Sequence, residues 1–480
     1  MNHLTPRPNP LNPLRLIARA QPHHQLSFHP RSTIKDVPLE LLLEIFSNLL
    51  KDDLMALRIV CKPFAEFLVP LLFSSVLLVA NAKKLEDAKL ILSHFPASIK
   101  TIYISPINYP ARTQARYENA VDRGCRPEHV RFPQCHLDLG HKAYCKLRKE
   151  QQEIMATREI SIVLCQFLNK APKVSRLAII SAPELTSIAQ EQLQEFCTMN
   201  NCGLSLETHS LLRLPAETAS DCGASFVPSL LLTLSTASTQ IREILAGTHV
   251  YSMRLPAACL KMDARQIQNL SPVTSNLTKL ALSLDSISPA DKGVITNGTL
   301  ASLLASATKL ECLFLRTTME RTLSFFVSDY SPFEDLLQGC RFPKLRRLFL
   351  AGHESHAKSL IEFLLHSPCL QSLALRYHNL KSGSWAAVAD MLRKQLSLTN
   401  IKFYELRGGY MPDSYMEFRG YECEFMQNSL FRGGENPFLE GAVERFIQSP
   451  SWMRRPDSGM YYYGNAERDW YQEVFNVGRL

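Results

Sequence analysis

Residues 34 to 79 read IKDVPLELLLEIFSNLLKDDLMALRIVCKPFAEFLVPLLFSSVLLV. Leu41, Ile45 and Leu49 recur every four positions, and this spacing is typical of a helix rather than a strand. Pro63 stands where a later helix can begin, because the first helical turn needs no backbone N–H. The stretch therefore predicts three short amphipathic helices. Their apolar faces are larger than so small a unit can bury by itself, so we expect them to pack against a partner protein or, as in an ordinary helical subdomain, against the rest of the chain.

Four blocks of this stretch resemble the F-box motif in order and in spacing. They are VPLELL at residues 37–42, IF at 45–46, DL at 53–54 and VCKPF at 60–64. Val37 departs from the usual leucine before the proline, and this change preserves an apolar side chain. The stretch is therefore identified as an F-box of residues 34–79.

In the F-box family, the three helices bind a Skp-type adaptor subunit of a cullin ubiquitin ligase. By this resemblance, ten residues are candidates for the surface that faces the adaptor or packs the helices together. They are Pro38, Leu41, Leu42, Ile45, Leu49, Leu54, Leu57, Val60, Cys61 and Phe64. The sequence does not separate the two roles. Burial of this much apolar surface suits a stable interface between different proteins.

The composition describes a folded chain of more than one domain. It has 480 residues, of which 46% are hydrophobic and 20% are charged. No apolar run reaches the roughly eighteen residues that a membrane span needs. The 13 cysteines are scattered without disulfide-module spacing, which favours reduced thiols in the cytoplasm or nucleus.

The net charge of +8 is unevenly distributed along the chain. Residues 1–35 contain five basic residues, six prolines and no acidic residue, so residues 1–33 are predicted to be a disordered basic arm. Such an arm has some character of a mitochondrial presequence, but its prolines oppose the amphipathic helix that this signal needs. Residues 112–149 are also basic, whereas the remainder of the chain is close to neutral. This distribution does not predict a nucleic-acid-binding surface.

A repeated pattern of apolar residues at i, i+3 and i+5 follows the first unit. The last two residues of each triplet are two apart, as on one face of a short strand, and helical stretches lie between the triplets. The triplets are Ile99/Ile102/Ile104, Val174/Leu177/Ile179, Leu277/Leu280/Leu282, Leu310/Leu313/Leu315, Leu345/Leu348/Leu350, Leu370/Leu373/Leu375 and Leu398/Ile401/Phe403, with Val250/Met253/Leu255 as a weaker candidate. The alternation of strands and helices predicts a parallel sheet with helical crossovers.

The L-x-x-L-x-L core of these triplets resembles a leucine-rich repeat. The family's asparagine or cysteine three residues after the last leucine is absent, and Asp285, Thr318, His353 and His378 stand there instead. A buried asparagine ladder is therefore not predicted, and residues 180–245 show no clear triplet. The fold class that we expect is α/β, with an N-terminal three-helix F-box, an irregular leucine-rich-repeat-like solenoid over residues 80–405 and an atypical aromatic-rich cap over residues 406–480. An unrelated α/β domain with leucine-rich strands is the alternative.

No motif of a known catalytic chemistry is found in the sequence, which has no phosphate-binding glycine loop, no HExxH and no G-x-S-x-G. One group of possible zinc ligands falls within 21 residues: Cys125, His129, Cys135, His136, His141 and Cys145. The spacing matches no zinc finger, and the basic residues nearby oppose a cation. We therefore expect ordinary cysteines and histidines in a loop, with no metal and no cofactor.

The function that the resemblance implies is that of a substrate receptor in a Skp–cullin–F-box (SCF) ubiquitin ligase. The F-box would bind the Skp adaptor and, through it, the cullin, and the repeats would bind a target protein. Such a subunit has no catalytic residues, and neither nucleic acid nor a membrane is an expected partner. The F-box followed by degenerate repeats resembles many fungal F-box proteins. An adaptor-bound scaffold that acts outside a ligase is the alternative, and an enzyme in the C-terminal half has little support.

Overall fold

The structure of the chain is a computed structural model, which describes part of the sequence. The described residues are 37–47, 49, 51–104, 113–116, 118, 134–179, 227–236, 241–247, 255–285, 289–318, 331–337, 339–404 and 406–408. The chain forms two compact units, which divide between Leu72 and Phe73. The predicted arm of residues 1–33 and residues 409–480 of the predicted cap lie outside the described residues.

The first unit contains three helices, as the periodicity predicts. They are α1 (Leu39–Ser47), α2 (Lys51–Arg58) and α3 (Lys62–Leu72). Pro63 occupies the first turn of α3, where its missing N–H costs no hydrogen bond. The strand that follows belongs to the second unit, so the helical part of the F-box stretch ends at Leu72.

The second unit is built on a parallel sheet, as the alternation of strands and helices predicts. In spatial order, its nine main strands are β1 (Ser75–Leu78), β2 (Thr101–Ile104), β3 (Arg176–Ile179), β4 (Glu243–Ala246), β6 (Lys279–Asp285), β7 (Cys312–Thr318), β9 (Arg347–Ala351), β11 (Ser372–Arg376) and β13 (Asn400–Tyr404). The short strand β5 (Leu255–Pro256) pairs with the end of β6. Every described pair in this sheet is parallel.

Helices connect these strands and pack on one face of the sheet. They are α4 (Ala82–His94), α5 (Gln134–Ala156), α6 (Glu159–Lys170), α7 (Val227–Thr236), α8 (Ala264–Thr274), α9 (Pro289–Thr296), α10 (Thr299–Ala305), α11 (Phe333–Leu337), α12 (Ala357–Leu365) and α13 (Trp385–Gln395), with a short 3₁₀ helix at Ala257–Leu260. Buried residues from these helices and from alternate strand positions form one hydrophobic core. Because each repeat buries its apolar face against its neighbours, the array forms one continuous core.

The strong apolar triplets are confirmed as the core-facing residues of strands. In each of these seven triplets, the last two residues lie on a strand and are buried. Two strands of the main sheet were not predicted: β1, which lies in the stretch expected to be helical, and β4, whose triplet Ile241, Ile244 and Ala246 is also buried. The last position of the β4 triplet is alanine, which is too small to stand out in a search for leucine. The weaker candidate ending at Leu255 corresponds only to the short β5, and residues 250–254 lie outside the described residues.

A second parallel sheet runs beside the C-terminal repeats. Its strands, in spatial order, are β14 (Arg407–Gly408), β12 (Asn379–Ser382), β10 (His353–His356) and β8 (Ser331–Pro332). Gly352 links β9 to β10 with φ of +82°, and a Cβ at this position would lie 1.7 Å from the Thr317 carbonyl oxygen. Only glycine fits so close an approach of two backbones.

Two buried histidines take the place of the absent asparagine ladder. His353 and His378 are fully buried, with ring centroids 6.4 Å apart. His353 Nε2 lies 3.3 Å from the Leu315 carbonyl oxygen, and its Nδ1 lies 3.2 Å from Thr317 Oγ1. His378 Nε2 lies 2.8 Å from Ser355 Oγ. Burial lowers the pKa of His353 to about 4 and that of His378 to about 3, so both rings are neutral near pH 7.

Candidate partner-binding surface

Helix α1 carries two neighbouring apolar stripes, of which one is buried and the other is exposed. The Leu42 amide donates to the Pro38 carbonyl oxygen at 3.1 Å, which sets the first turn of α1. Leu42 and Phe46 share one stripe of the helix and are buried. Leu41 and Ile45, one position earlier on the helix, are about half exposed. The same helix thus contributes one apolar stripe to the core of the unit and leaves another at its surface.

The buried stripe belongs to a small core that all three helices form. The Phe46 and Phe64 rings meet edge to face, with their centroids 5.5 Å apart and an interplanar angle of 78°. The buried apolar side chains of the unit are Leu42, Phe46, Leu54, Phe64, Leu68 and Leu72. These residues hold the helices in position, and truncating any of them would leave a cavity.

The exposed stripe is part of a concentration of exposed apolar side chains, which we call the apolar patch. Its members are Leu41, Ile45, Met55, Ile59 and Val60. Ile59 and Val60 lie in the turn after α2, where their amides donate to Ala56 and Leu57 at 3.3 and 3.1 Å. In the rest of the described chain, only three other large hydrophobic residues are exposed. Five such residues in one small helical unit are a candidate surface for a partner.

The structure divides the ten predicted candidates into three groups by their burial. Leu42, Leu54 and Phe64 are buried, Leu49, Leu57 and Cys61 are half-buried, and Pro38, Leu41, Ile45 and Val60 are exposed. Met55 and Ile59 were not predicted, although both are exposed. The sequence does contain a signal for them, because they are four residues apart and therefore lie on one side of α2 and the turn after it.

The predicted cysteine and histidine cluster lies partly on a helix. Cys135 and Cys145 are exposed on α5, and Cys145 Sγ lies 3.6 Å from His141 Nε2. The expectation of a loop is therefore wrong from residue 134 onward, while Cys125 and His129 lie outside the described residues. Among the described residues, no three histidine, cysteine or acidic side chains are grouped so that they could hold a metal ion.

None of the described helices combines the length and the apolar character that crossing a membrane would require. Apart from the apolar patch, the described residues offer no second site with a comparable excess of exposed apolar side chains.

Together, the fold and the apolar patch define a modular chain, in which a three-helix domain with exposed apolar side chains precedes a parallel α/β repeat array. Residues 34–78 match the F-box-like family, so the chain contains an F-box-like domain near its N-terminus. Among solved structures, the chain is similar to the leucine-rich repeat-containing protein LegL7 from Legionella pneumophila, with 12% sequence identity and a TM-score of 0.25 over 76% of this chain and 100% of that one. No curated protein is significantly similar to the chain in sequence.

Proposed function

We propose that this protein is the substrate-receptor subunit of an SCF-type ubiquitin ligase. The observation that supports the proposal most directly is the apolar patch, because it lies within the range that matches the F-box-like family. The F-box-like domain would bind a Skp-type adaptor, and the adaptor would connect it to the cullin. The repeat array would bind a target protein.

The residues that would contact the adaptor are the exposed members of the domain. Leu41 and Ile45 on α1, with Val60 after α2, would enter the interface, and Pro38 would lie at the start of α1. Leu42, Leu54 and Phe64 would act indirectly, because they hold the three helices together. The half-buried Leu49, Leu57 and Cys61 would lie at the border of the contact.

The mechanism of such a subunit is proximity rather than catalysis. The receptor would hold the target near the enzyme that transfers ubiquitin, and this tethering raises the target's effective concentration there. The array suits the task because its strands and helices share one core and so form a rigid support. The ubiquitin-transfer chemistry would belong to the other subunits of the ligase.

Co-expression of the full chain with a Skp-type adaptor tests the proposal. The wild-type chain should co-purify with the adaptor, and the double variant Leu41→Asp/Ile45→Asp should not, because it places two charges in an apolar contact. The matched control is Leu90→Asp/Ile162→Asp, which changes the same residue types on the exposed sides of α4 and α6. Failure of the wild type to bind, or equal binding by the Leu41/Ile45 variant, would refute the proposal.

A scaffold that binds the adaptor outside a ligase is the second candidate, since the apolar patch serves it equally well. The two functions differ in what lies beyond the adaptor. A receptor should also co-purify with cullin, and its target should accumulate when the proteasome is inhibited. A scaffold should bind the adaptor without cullin and without a change in the abundance of any partner.

A further inference from the structure

The turns that lead into the strands of the main sheet lie along one rim of the array. Every described strand pair of this sheet is parallel, so the strands begin on the same side. The amide of the residue before each strand donates to the carbonyl oxygen of its equivalent in the preceding repeat, at 2.8 Å along the line Ser175, Arg242, Thr278, Glu311 and Arg346. Residues that are far apart in sequence therefore form one continuous line across the repeats.

This line of turns has an excess of exposed basic side chains, which we call the basic rim. The described turns that lead from a helix into β2 and the later strands up to β13 contain seven basic residues and one acidic residue, Glu311. The members of the basic rim are Lys100, Lys173, Arg242, Lys309, Arg341, Lys344 and Arg346, and all are exposed. None of them forms an ion pair with another described residue. Their charge is therefore not balanced within the described part of the array.

The fold itself does not account for these cations. Basic residues near the end of a helix stabilise its last carbonyl groups, but this effect is confined to the last turn. Lys100, Arg242 and Arg346 lie beyond the last turns of α4, α7 and α11. Arg242 and Arg346 join the line of turns through their backbone groups, which any residue except proline would supply. Their guanidinium groups are thus available for another partner.

The dimensions of the basic rim match an extended acidic peptide. From β2 to β9 there are five strand spacings, about 24 Å, which about seven extended residues span. Adjacent repeats are about 4.8 Å apart, less than the Debye length of about 8 Å at physiological ionic strength, so the fields of their cations add. A nucleic acid is a poorer match, because Glu311 interrupts the line and the described turns have no exposed aromatic side chain to stack on a base.

We propose that the basic rim binds an acidic segment of the target protein. The proposal deepens the proposed function and rests on it, because it assigns the target to one class of sequence and to one side of the array. Alternate carboxylates of an extended segment face the same way and are about 7 Å apart, so they would meet cations of successive repeats. Because the contact depends on exposed charges, it should weaken as the salt concentration rises.

Fluorescence anisotropy with the full-length chain tests the proposal. The probe is a labelled peptide of about ten residues, alternating glutamate and serine, which is long enough to follow the basic rim. The wild-type chain should bind it, and should bind the same peptide with glutamine in place of glutamate at least about tenfold more weakly. Arg242→Glu/Arg346→Glu should weaken binding of the acidic peptide about tenfold, because two attractions are replaced by two repulsions.

The matched control is Lys261→Glu/Arg265→Glu, which changes the net charge by the same amount. Both residues are exposed and lie near the N-terminus of α8, whereas the basic rim follows the C-terminal ends of the helices. This control should bind the acidic peptide like the wild type. Equal losses in the two variants, no binding by the wild type, or tighter binding of an oligothymidine of about ten nucleotides would overturn the proposal.

Alkylation of Cys369 locates the bound peptide. Cys369 is exposed in the turn before β11, directly beside β9, whereas Cys135 and Cys145 are exposed on α5. The acidic peptide with a bromoacetyl group at one end or the other should alkylate Cys369 in preference to the α5 cysteines, and the glutamine peptide should show no such preference. Equal alkylation patterns for the two peptides, measured by mass spectrometry, would count against the basic rim as the binding site.

The adaptor assay separates failure of this proposal from failure of the proposed function. Arg242→Glu/Arg346→Glu leaves the apolar patch unchanged and should co-purify with the Skp-type adaptor like the wild type. If the wild type binds the adaptor but not the acidic peptide, only the target class is wrong. If it does not bind the adaptor, the receptor function itself is refuted.

Discussion

Truncation of Leu41 and Ile45 to alanine should weaken adaptor binding without unfolding the domain. The two side chains are 50% and 53% exposed, and burying a fully exposed leucine or isoleucine is worth about 1.5–3 kcal/mol. Burying the exposed half of each on binding therefore contributes about 1 kcal/mol. Both together contribute about 2 kcal/mol, which is about thirtyfold in Kd. Because the other half of each side chain is already buried in the folded domain, we expect the free energy of unfolding to fall by about 1 kcal/mol for each, which leaves the domain folded.

The assay is calorimetric titration of the full-length chain with a purified Skp-type adaptor. Leu90→Ala/Ile162→Ala is the matched control, because those residues are 58% and 54% exposed but lie on helices of the array. The control should bind within about twofold of the wild type, which is about 0.4 kcal/mol. If the Leu41/Ile45 variant binds as tightly as the control while both remain folded, the assignment of the apolar patch to the adaptor is wrong.

Three other predictions concern stability, and each can be measured by urea denaturation. Phe64→Ala should destabilise the F-box-like domain by about 3–5 kcal/mol, because it removes a buried ring from its small core; a loss below about 1 kcal/mol would contradict this packing. Gly352→Ala should destabilise the array by more than Gly298→Ala does. Both glycines have positive φ, but only at Gly352 would an added Cβ meet a backbone oxygen. Equal losses of stability in the two variants would count against the close approach. Burial lowers the pKa of His353 from 6.5 to about 4 and that of His378 from 6.5 to about 3. Protons therefore bind preferentially to the unfolded chain, and the free energy of unfolding should fall as the pH decreases from about 6.5 toward 4. Replacing both histidines with asparagine should flatten this dependence, and an unchanged slope between pH 7 and pH 5 would refute their role.

The repeat array was largely predictable because its core-facing residues are large, apolar and evenly spaced. Leu348, Leu350 and their equivalents in other repeats are two residues apart, as on one face of a strand. This spacing does not depend on the length or conformation of the loops between the strands. The prediction failed at β1, whose residues were expected to belong to the helical F-box, and at β4, where Ala246 is buried although alanine gives little hydrophobic signal. It also did not anticipate that His353 and His378 would be buried at the ladder position, because histidine is usually found nearer the surface.

For the candidate site, the sequence alone determined where the three helices lie and which positions are apolar. Only the tertiary structure decided which of those positions remain at the surface. Leu41 and Leu42 are chemically identical neighbours, and Leu42 is buried in the core that includes the contact between Phe46 and Phe64 while Leu41 is not. Periodicity establishes which side chains share a face of a helix, but the burial of that face depends on residues from other helices, which are distant in sequence. The array shows the same dependence, because Phe314 and Phe349 belong to separate repeats and only strand pairing brings their rings together.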